Sequence, residues 1–510
     1  MLSKKTKIWR IQPVIDNKKL DKFSDYDKIV LQLLFNRGID SEDKITKFFA
    51  EDEDSSTCDP FLFRDMKKAV DLIIKHIKEE NQIYIFGDYD ADGVTSSALL
   101  KDILELLKGK VGVYLPDRVS EGYGLNINAI DYIKSQGGKL LITVDGGIRS
   151  KDEVEHAKSM GIDVIITDHH PSSTRKDDLP NCLIINSTLP EELYPCKNLA
   201  GVGVAFKLAK AIIAKAKLSD QNKELLENRV LDLVAIGTIA DCVPLVGENR
   251  ILVKKGLEVL NDTKRAGLSE LLKVSGVKDG QILKAWNVGF QIGPRINAAG
   301  RMDHANSAYK LLIEKDKDEA HRLANSLNQR NIERQQITEE IVQEVVEQVN
   351  EEDDIIIGVC EGDVWNEGVV GLVAGRICER YYKPTLVITK TIEGYKGSGR
   401  SIPEFNLAAA IEDCSEFLDK HGGHPLACGF SFFEENLNNF QNKLKKIARN
   451  KLKNIELSPS IVIDSEIDAR DINEELLEKI KKFEPFGQKN EQPKFVSRKL
   501  SVKDIMYMGI

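Results

Sequence analysis

Ile83-Tyr84-Ile85-Phe86-Gly87-Asp88-Tyr89-Asp90-Ala91-Asp92-Gly93-Val94-Thr95-Ser96-Ser97 is the stretch whose reading decides the fold. It begins as an apolar strand and ends as the start of a helix. Between the two it sets three carboxylates at alternate positions. In an extended segment that alternation sends all three side chains one way. At ~4 Å and an effective dielectric near 20, each pair of unit charges repels by ~4 kcal/mol. An ordinary core has no use for such a cluster. A hard divalent cation does, because Mg²⁺ and Mn²⁺ favour carboxylate oxygens, with imidazole admissible for Mn²⁺. The competing reading is a solvated acidic turn closed by Asp92-Gly93.

The flanking sequence favours the metal. From Met66 onward helical patterns alternate with short apolar runs at 111–115, 140–144, 164–167 and 182–185. This is the signature of βαβ units and a parallel sheet, in which sites lie beyond the carboxyl ends of the strands. Asp88, Asp90 and Asp92 follow the first strand. Asp145 follows Leu140-Leu141-Ile142-Thr143-Val144, and Asp168-His169-His170 follow Val164-Ile165-Ile166-Thr167. Three strands thus deliver five carboxylates and two imidazoles to one rim. His169 is placed as a metal ligand. His170 points elsewhere, towards substrate or a water, with Asp168 orienting one ring as the structural alternative. Asp241, after the apolar helix 230–240, reads equally as a helix cap or as a further rim acid. Gly201-Val202-Gly203 lacks the rest of a dinucleotide fingerprint and reads as a tightly packed helix start.

Length and composition set the frame. The 510 residues predict several domains, and the net charge of −9 neither marks nor excludes a nucleic-acid partner. The eight cysteines have no CxxC spacing, which argues against a zinc ribbon and fits a reducing cytoplasm. No apolar run of about 20 residues predicts a membrane span, so a soluble protein is expected. Residues 1–65 read as a helical preface containing a solvated acidic run, Glu51-Asp52-Glu53-Asp54-Ser55-Ser56.

Further along, Arg295-Ile296-Asn297-Ala298-Ala299-Gly300-Arg301 reads as a Gly-broken loop offering two arginine forks, which suit phosphate. Arg118 ends another strand and reads either as a rim group or as a surface arginine. Residues 316–350 predict a long spacer helix. A second alternating domain follows at 351–452, with strands near 355–359, 385–389 and 428–432. Its loops Trp365-Asn366-Glu367-Gly368-Val369, Gly397-Ser398-Gly399-Arg400-Ser401 and His421-Gly422-Gly423-His424 combine backbone access with anion-binding groups. Residues 453–510 alternate like short strands, and 501–510 read as a strand just beginning.

These motifs carry a resemblance. Gly87-Asp88-Tyr89-Asp90-Ala91-Asp92-Gly93, Val144-Asp145-Gly146-Gly147, Thr167-Asp168-His169-His170 and Gly237-Thr238-Ile239-Ala240-Asp241 match, in order, the motifs of the DHH phosphoesterases. The runs at 295–301, 398–400 and 422–424 are similar to those of the RecJ-like branch, which degrades single-stranded DNA. The resemblance implies an α/β chain: a parallel-sheet DHH domain (66–315), a long connecting helix (316–350), a smaller α/β DHH-associated domain (351–452) and a partial, OB-like β segment (453–510). It implies two divalent ions, Mn²⁺ or Mg²⁺, one held by Asp88, Asp90 and Asp145. The other is held by Asp92, Asp145, His169 and Asp241, with Asp145 bridging. His170 would contact the scissile phosphate, and Arg118, Arg295, Asn297, Arg301, Ser398, Arg400 and His424 the strand. The implied reaction is 5′→3′ hydrolysis of single-stranded DNA to 5′ mononucleotides by a monomer, with a single-strand-binding protein and a helicase as partners. A nano-RNase or cyclic-dinucleotide phosphodiesterase, and a non-catalytic replication-fork scaffold, are the rival readings. Asn366 stands where many relatives have His, and Cys428 where Ala is common.

Overall fold

The computed structural model describes residues 7–49, 57–173, 175–278, 280–362 and 364–506; the acidic run 51–56 lies outside them. Strand β1 (Ile8–Ile11) and three helices, Asn17–Lys22, Lys28–Asn36 and Glu42–Phe49, make an N-terminal module. The main sheet follows: β2 (Gln82–Gly87), β3 (Lys110–Tyr114), β4 (Gly138–Val144), β5 (Asp163–Thr167) and β6 (Leu183–Ile185), all parallel, in the order β3-β2-β4-β5-β6. Its strands are apolar on both faces for a physical reason. Ile83 and Ile85 enter one core with Leu140, Ile142 and Ile165, while Tyr84 and Phe86 enter another with Leu141 and Ile166. Helices therefore cover both sides of the sheet.

The strand order places the site. The chain passes from β2 to β3 on one side and then to β4 on the other, so the crevice of this sheet opens at the carboxyl ends of β2 and β4. There Gly87 pairs with Val144, and Val144 with Thr167. The next residues, Asp88, Asp145 and Asp168, stand side by side, one strand spacing of ~4.8 Å apart.

The surrounding helices are α1 (Ala91–Leu106), α2 (Gly201–Lys215), α3 (Leu231–Ala240), α4 (Gly293–Met302), α5 (Lys317–Glu347) and α6 (Glu367–Tyr381). The expected spacer is α5, capped by Asp316, whose carboxylate accepts from Glu319 N at 2.9 Å. It is more than a spacer. Leu323, Ala324 and Leu327 belong to the core of the first domain, and Ile341, Val342 and Val345 to that of the second. One rigid element thus fixes both. The second sheet comprises β7 (Ile356–Val359), β8 (Thr385–Thr391), β9 (Gly394–Arg400), β10 (Lys420–His424) and β11 (Ala427–Phe432), in the order β10-β11-β9-β8-β7.

Four expectations are corrected. The runs at 397–401 and 421–424 lie largely in strands β9 and β10, because β8 and β11 supply backbone partners that glycine-rich sequence does not reveal. The run 295–301 is helix α4 and not a loop; the buried Ile296, Ala298 and Ala299 hold it against the core. Residues 501–506 are exposed and belong to no strand. The N-terminal module is not purely helical, since β1 pairs in parallel with β12 (Ser460–Ile463).

That pairing joins N- and C-terminal modules into one body. Beside it, β13 (Ser465–Glu466) pairs with β14 (Phe495–Val496). Phe483 is fully buried against the rings of Phe48 and Phe49, and Arg37 stacks on it at 5.2 Å. Arg250 ties both modules to the first domain, donating to the carbonyls of Phe48, Lys482 and Glu484 at 2.7, 2.9 and 2.8 Å. All eight cysteines are free, and no helix among the described residues is long and apolar enough to cross a membrane. Phe483→Ala should lower unfolding free energy by about 3–5 kcal/mol, as for other large core truncations. Urea denaturation would measure it, and limited proteolysis should show cleavage in the N-terminal module before the rest.

Candidate metal centre

Asp88, Asp90 and Asp92 converge, though not by the alternation of an extended segment. Asp88 ends the strand. Asp90 caps α1, its carboxylate accepting from Asp92 N at 2.9 Å and Gly93 N at 3.2 Å. Asp92 lies in the first helical turn and reaches α2, accepting from Gly201 N at 2.7 Å and Val202 N at 2.8 Å. Two helix N-termini therefore bear on these acids, and both favour negative charge. The chain reverses so tightly that a Cβ on Gly93 would lie 2.5 Å from the Asp88 backbone. A Cβ on Gly201 would lie 2.5 Å from Asp145 Oδ1, so the close packing read from Gly201-Val202-Gly203 is packing against the site itself.

Asp145 sits at φ +58, aimed into the rim and almost fully buried. His169 Nε2 lies 3.2 Å from Asp145 Oδ1 and 3.6 Å from Asp241 Oδ2. These are not ion pairs. Burial, reinforced by the neighbouring charge on His170, pushes the His169 pKa down to about 4, so the ring is neutral. Its bond to the Leu199 backbone leaves Nε2 to offer a lone pair. Asp241 closes α3, so its two readings, cap position and rim acid, coincide.

Ligand atoms of Asp88, Asp90 and Asp145 lie within 4.8 Å of one another, as do those of Asp92, His169 and Asp241. Asp145, His169 and His170 meet the same limit. The first group has the members of one expected set, and the second has three of the four expected of the other, Asp145 being absent from it although its Oδ1 lies 3.2 Å from His169 Nε2. The fit to cations is tested by what these atoms lack. Asp88 Oδ1, Asp145 Oδ1, His169 Nε2 and Asp241 Oδ2 are all buried without a hydrogen-bond partner. Burial, then the charge of Asp90, raises the pKa of Asp92 to about 7. Burial, then Asp92 and the other acids, raises that of Asp241 to about 9. Asp88 and Asp145 are driven upward for the same reasons. Such atoms fit a hard dication.

Asp168 has a different task. It is fully buried, and its Oδ1 accepts from His169 N, His170 N and His170 Nδ1 at 2.7, 3.0 and 2.8 Å, while Oδ2 accepts from Ile148 N at 3.0 Å. It shapes the turn and orients His170. Burial alone would discharge His170, but the bond and charge of Asp168 outweigh it and hold the imidazole above its ordinary pKa. Tyr123, between two positive-φ glycines, places its hydroxyl 3.1 Å from His170 Nδ1. Sequence reading missed it; the Gly122-Tyr123-Gly124 pattern was the available signal.

A cationic group faces the acids. Arg118 stacks on Tyr89 at 4.6 Å. Arg301 donates to Gly368 O of α6 at 2.8 Å, joining the two domains at the rim. Burial, then the charges of Arg118 and Arg334, pushes the Arg301 pKa down to about 9, with Arg400 adding to the effect. Arg334 on α5 was not anticipated; its position on a charged helix gave no cue. Arg400 donates to Ser398 Oγ at 3.3 Å and to Gly399 O at 2.8 Å. His424 is exposed at the end of β10, in the same cross-strand row as Ala427 and Arg400. Two expected strand contacts are engaged internally. Arg295 donates to Asn328 at 2.9 Å and Gln291 O at 2.6 Å, and Asn297 Oδ1 accepts from Ala91 N at 2.8 Å, bracing the acidic loop. Asn366 caps α6, accepting from Gly368 N at 2.8 Å, a task asparagine performs well.

The parallel sheet, the acid–histidine rim and the facing arginine-bearing domain define a DHH protein. Models of the DHH family N-terminal domain, the DHHA1 domain and the RecJ OB domain match residues 82–238, 335–450 and 463–510. The single-stranded-DNA-specific exonuclease RecJ of Escherichia coli strain K12 is 36% identical over 84% of this chain and 77% of its own length. That of Bacillus subtilis strain 168 is 39% identical over the whole chain, which spans 64% of that relative. The crystal structure of RecJ in complex with Mn²⁺ from Thermus thermophilus superposes with a TM-score of 0.82 at 27% identity, covering 96% of this chain and 69% of the other. The chain belongs to the RecJ family.

Cation binding must release the protons held by Asp92 and Asp241. Between pH 6 and 9, spanning their values of about 7 and 9, Mn²⁺ affinity should rise with pH. Calorimetry in buffers of different ionisation enthalpy should show net proton release; none would refute the ligand set. Raised carboxyl pKa values also mean that the metal-free protein loses stability as pH rises through this window, and Mn²⁺ should restore it.

Proposed function

We propose that this chain is a metal-dependent exonuclease that hydrolyses single-stranded DNA 5′→3′ to 5′ mononucleotides. The observation that carries this reading is the cluster of partnerless ligand atoms on Asp88, Asp145, His169 and Asp241, with Arg118, Arg301 and Arg400 gathered beside it. A bound pair of Mn²⁺ or Mg²⁺ ions would supply Lewis-acid polarisation of the phosphodiester and lower the pKa of water towards ~7. Asp88, Asp90 and Asp145 would hold one ion, and Asp92, Asp145, His169 and Asp241 the other.

The remaining steps belong to the protein. His170, whose protonated form Asp168 favours, donates to an equatorial oxygen of the scissile phosphate as its charge grows. Ser398 and Arg400, with Arg118, bind the terminal 5′ phosphate, setting cleavage one nucleotide from the end and hence the polarity. Arg301, which spans both walls of the site, donates its remaining N–H groups to the strand's phosphates. Free cysteines throughout fit a cytoplasmic setting. A helicase and a single-strand-binding protein would present the strand to a monomeric enzyme.

Asp145→Ala should abolish turnover of 5′-phosphorylated single strands in Mn²⁺, measured as mononucleotide release. Retained turnover would defeat the assignment. The wild-type protein separates the rivals: cleavage of dinucleotides alone favours a small-substrate phosphodiesterase, and no cleavage of any substrate favours a scaffold. Arg400→Ala should raise KM about tenfold or more for 5′-phosphorylated strands, the scale of a charge-assisted hydrogen bond, and much less for 5′-hydroxyl strands. Equal effects on both would remove Arg400 from the 5′ pocket.

A further inference from the structure

One pair of side chains has no place in the chemistry above. Trp286 and Phe290 are exposed by 61% and 69%, and their rings stack on each other at 5.4 Å with planes 24° apart. Their neighbours Ala285, Asn287 and Val288 are buried, so the backbone that carries the rings is anchored while the rings face outward. The carrying segment is one continuous helical run: Ala285–Asn287, the π-helical turn Val288–Ile292, then α4. A π turn inside a helix commonly marks a functional position.

The run leads to the metal rim. A Cβ on Gly289 or Gly293 would meet Ile239 or Ala240, the residues just before Asp241. Asn297 and Arg301 follow Phe290 by seven and eleven residues on the same continuous helical run. Asn297 braces the Asp88–Asp92 loop and Arg301 lies at the rim. From Trp286 to Arg301 the run measures at most about 22 Å at ~1.5 Å per residue. Beyond its outer end Lys284 pairs with Glu484 of the C-terminal module at 2.7 Å.

We propose that Trp286 and Phe290 are a base-stacking platform for the single strand, several nucleotides downstream of the metal rim. This rests on the exonuclease reading above. Exposed aromatic faces bind bases of any sequence, because each base has a π-face, and a non-specific exonuclease needs such tolerance. The platform holds the strand by stacking where the arginines hold it by charge, so its contribution survives salt that weakens phosphate contacts.

Two measurements test it. In metal-free buffer, an oligothymidylate of about 12 nucleotides should quench tryptophan emission in the wild-type protein and not in Trp286→Phe. With Mn²⁺, the readout is the ratio of kcat/KM for strands of about 12 nucleotides to that for strands of about three, one within and one below the ~4–16-nucleotide reach of stacking grooves. The double variant Trp286→Ala/Phe290→Ala should lower that ratio about tenfold, and Trp286→Phe/Phe290→Tyr should keep it. An unchanged ratio in the alanine variant, or a wild-type ratio in Trp286→Leu/Phe290→Leu, would overturn the platform and leave the exonuclease reading standing. The second result would mean that apolar area and not stacking matters there. A wild-type enzyme that cleaves neither length would sink the exonuclease reading, and the platform with it.

Discussion

Five carboxylates crowd one small volume, and everything else in the first domain is arranged to hold them there. Each unit-charge pair at such range costs several kcal/mol. The chain tolerates this because three strands end in register, forcing Asp88 and Asp145 to be neighbours and placing Asp168 beside them. Two helix N-termini offset part of the repulsion through the backbone donors of α1 and α2. Burial, together with the repulsion that remains, shows as raised carboxyl pKa values and buried oxygens without partners. A site built in this way suits cations and takes up protons in their place.

The complementary charge comes from several elements at once. Arg118 follows β3, Arg301 stands on α4, Arg334 on α5 and Arg400 on β9. Burial, then the charge of neighbouring arginines, lowers the pKa values of Arg301, Arg334 and Arg400, and since arginine does not shed its charge readily the cluster is left in need of an anion. The two domains must be held at fixed distance for this cluster to exist. Helix α5 does so by contributing to both hydrophobic cores, which makes the junction a packed joint. The opposed groups differ in chemistry: the acid side suits cations, the arginine side phosphates.

Residues far apart in the chain also meet at its two ends. The parallel pair β1–β12 and the aromatic cluster around Phe483 join the first fifty residues to the last sixty, and Arg250 clamps both to the first domain. The C-terminal segment is thereby anchored by packing even where its own sheet is only two short strands.

The local chemistry was legible in the chain itself. Apolar runs ending in Asp, with turns and helical patterns between them, sufficed for a parallel sheet with an acidic rim, because strand ends and helix starts are encoded by near neighbours. The same local logic failed at 295–301 and at 397–401 and 421–424, where glycine and small residues hide a helix and two strands that exist only through distant partners. It could not show that Asn297 braces the acidic loop, which of the two rings Asp168 orients, that Tyr123 and Arg334 flank the site, or that Trp286 and Phe290 stack on one another. Which residues carry charge is written in the sequence. Which of those charges face one another is decided by strand register and by helices packing across domains, because electrostatic energy depends on distance in space and not along the chain.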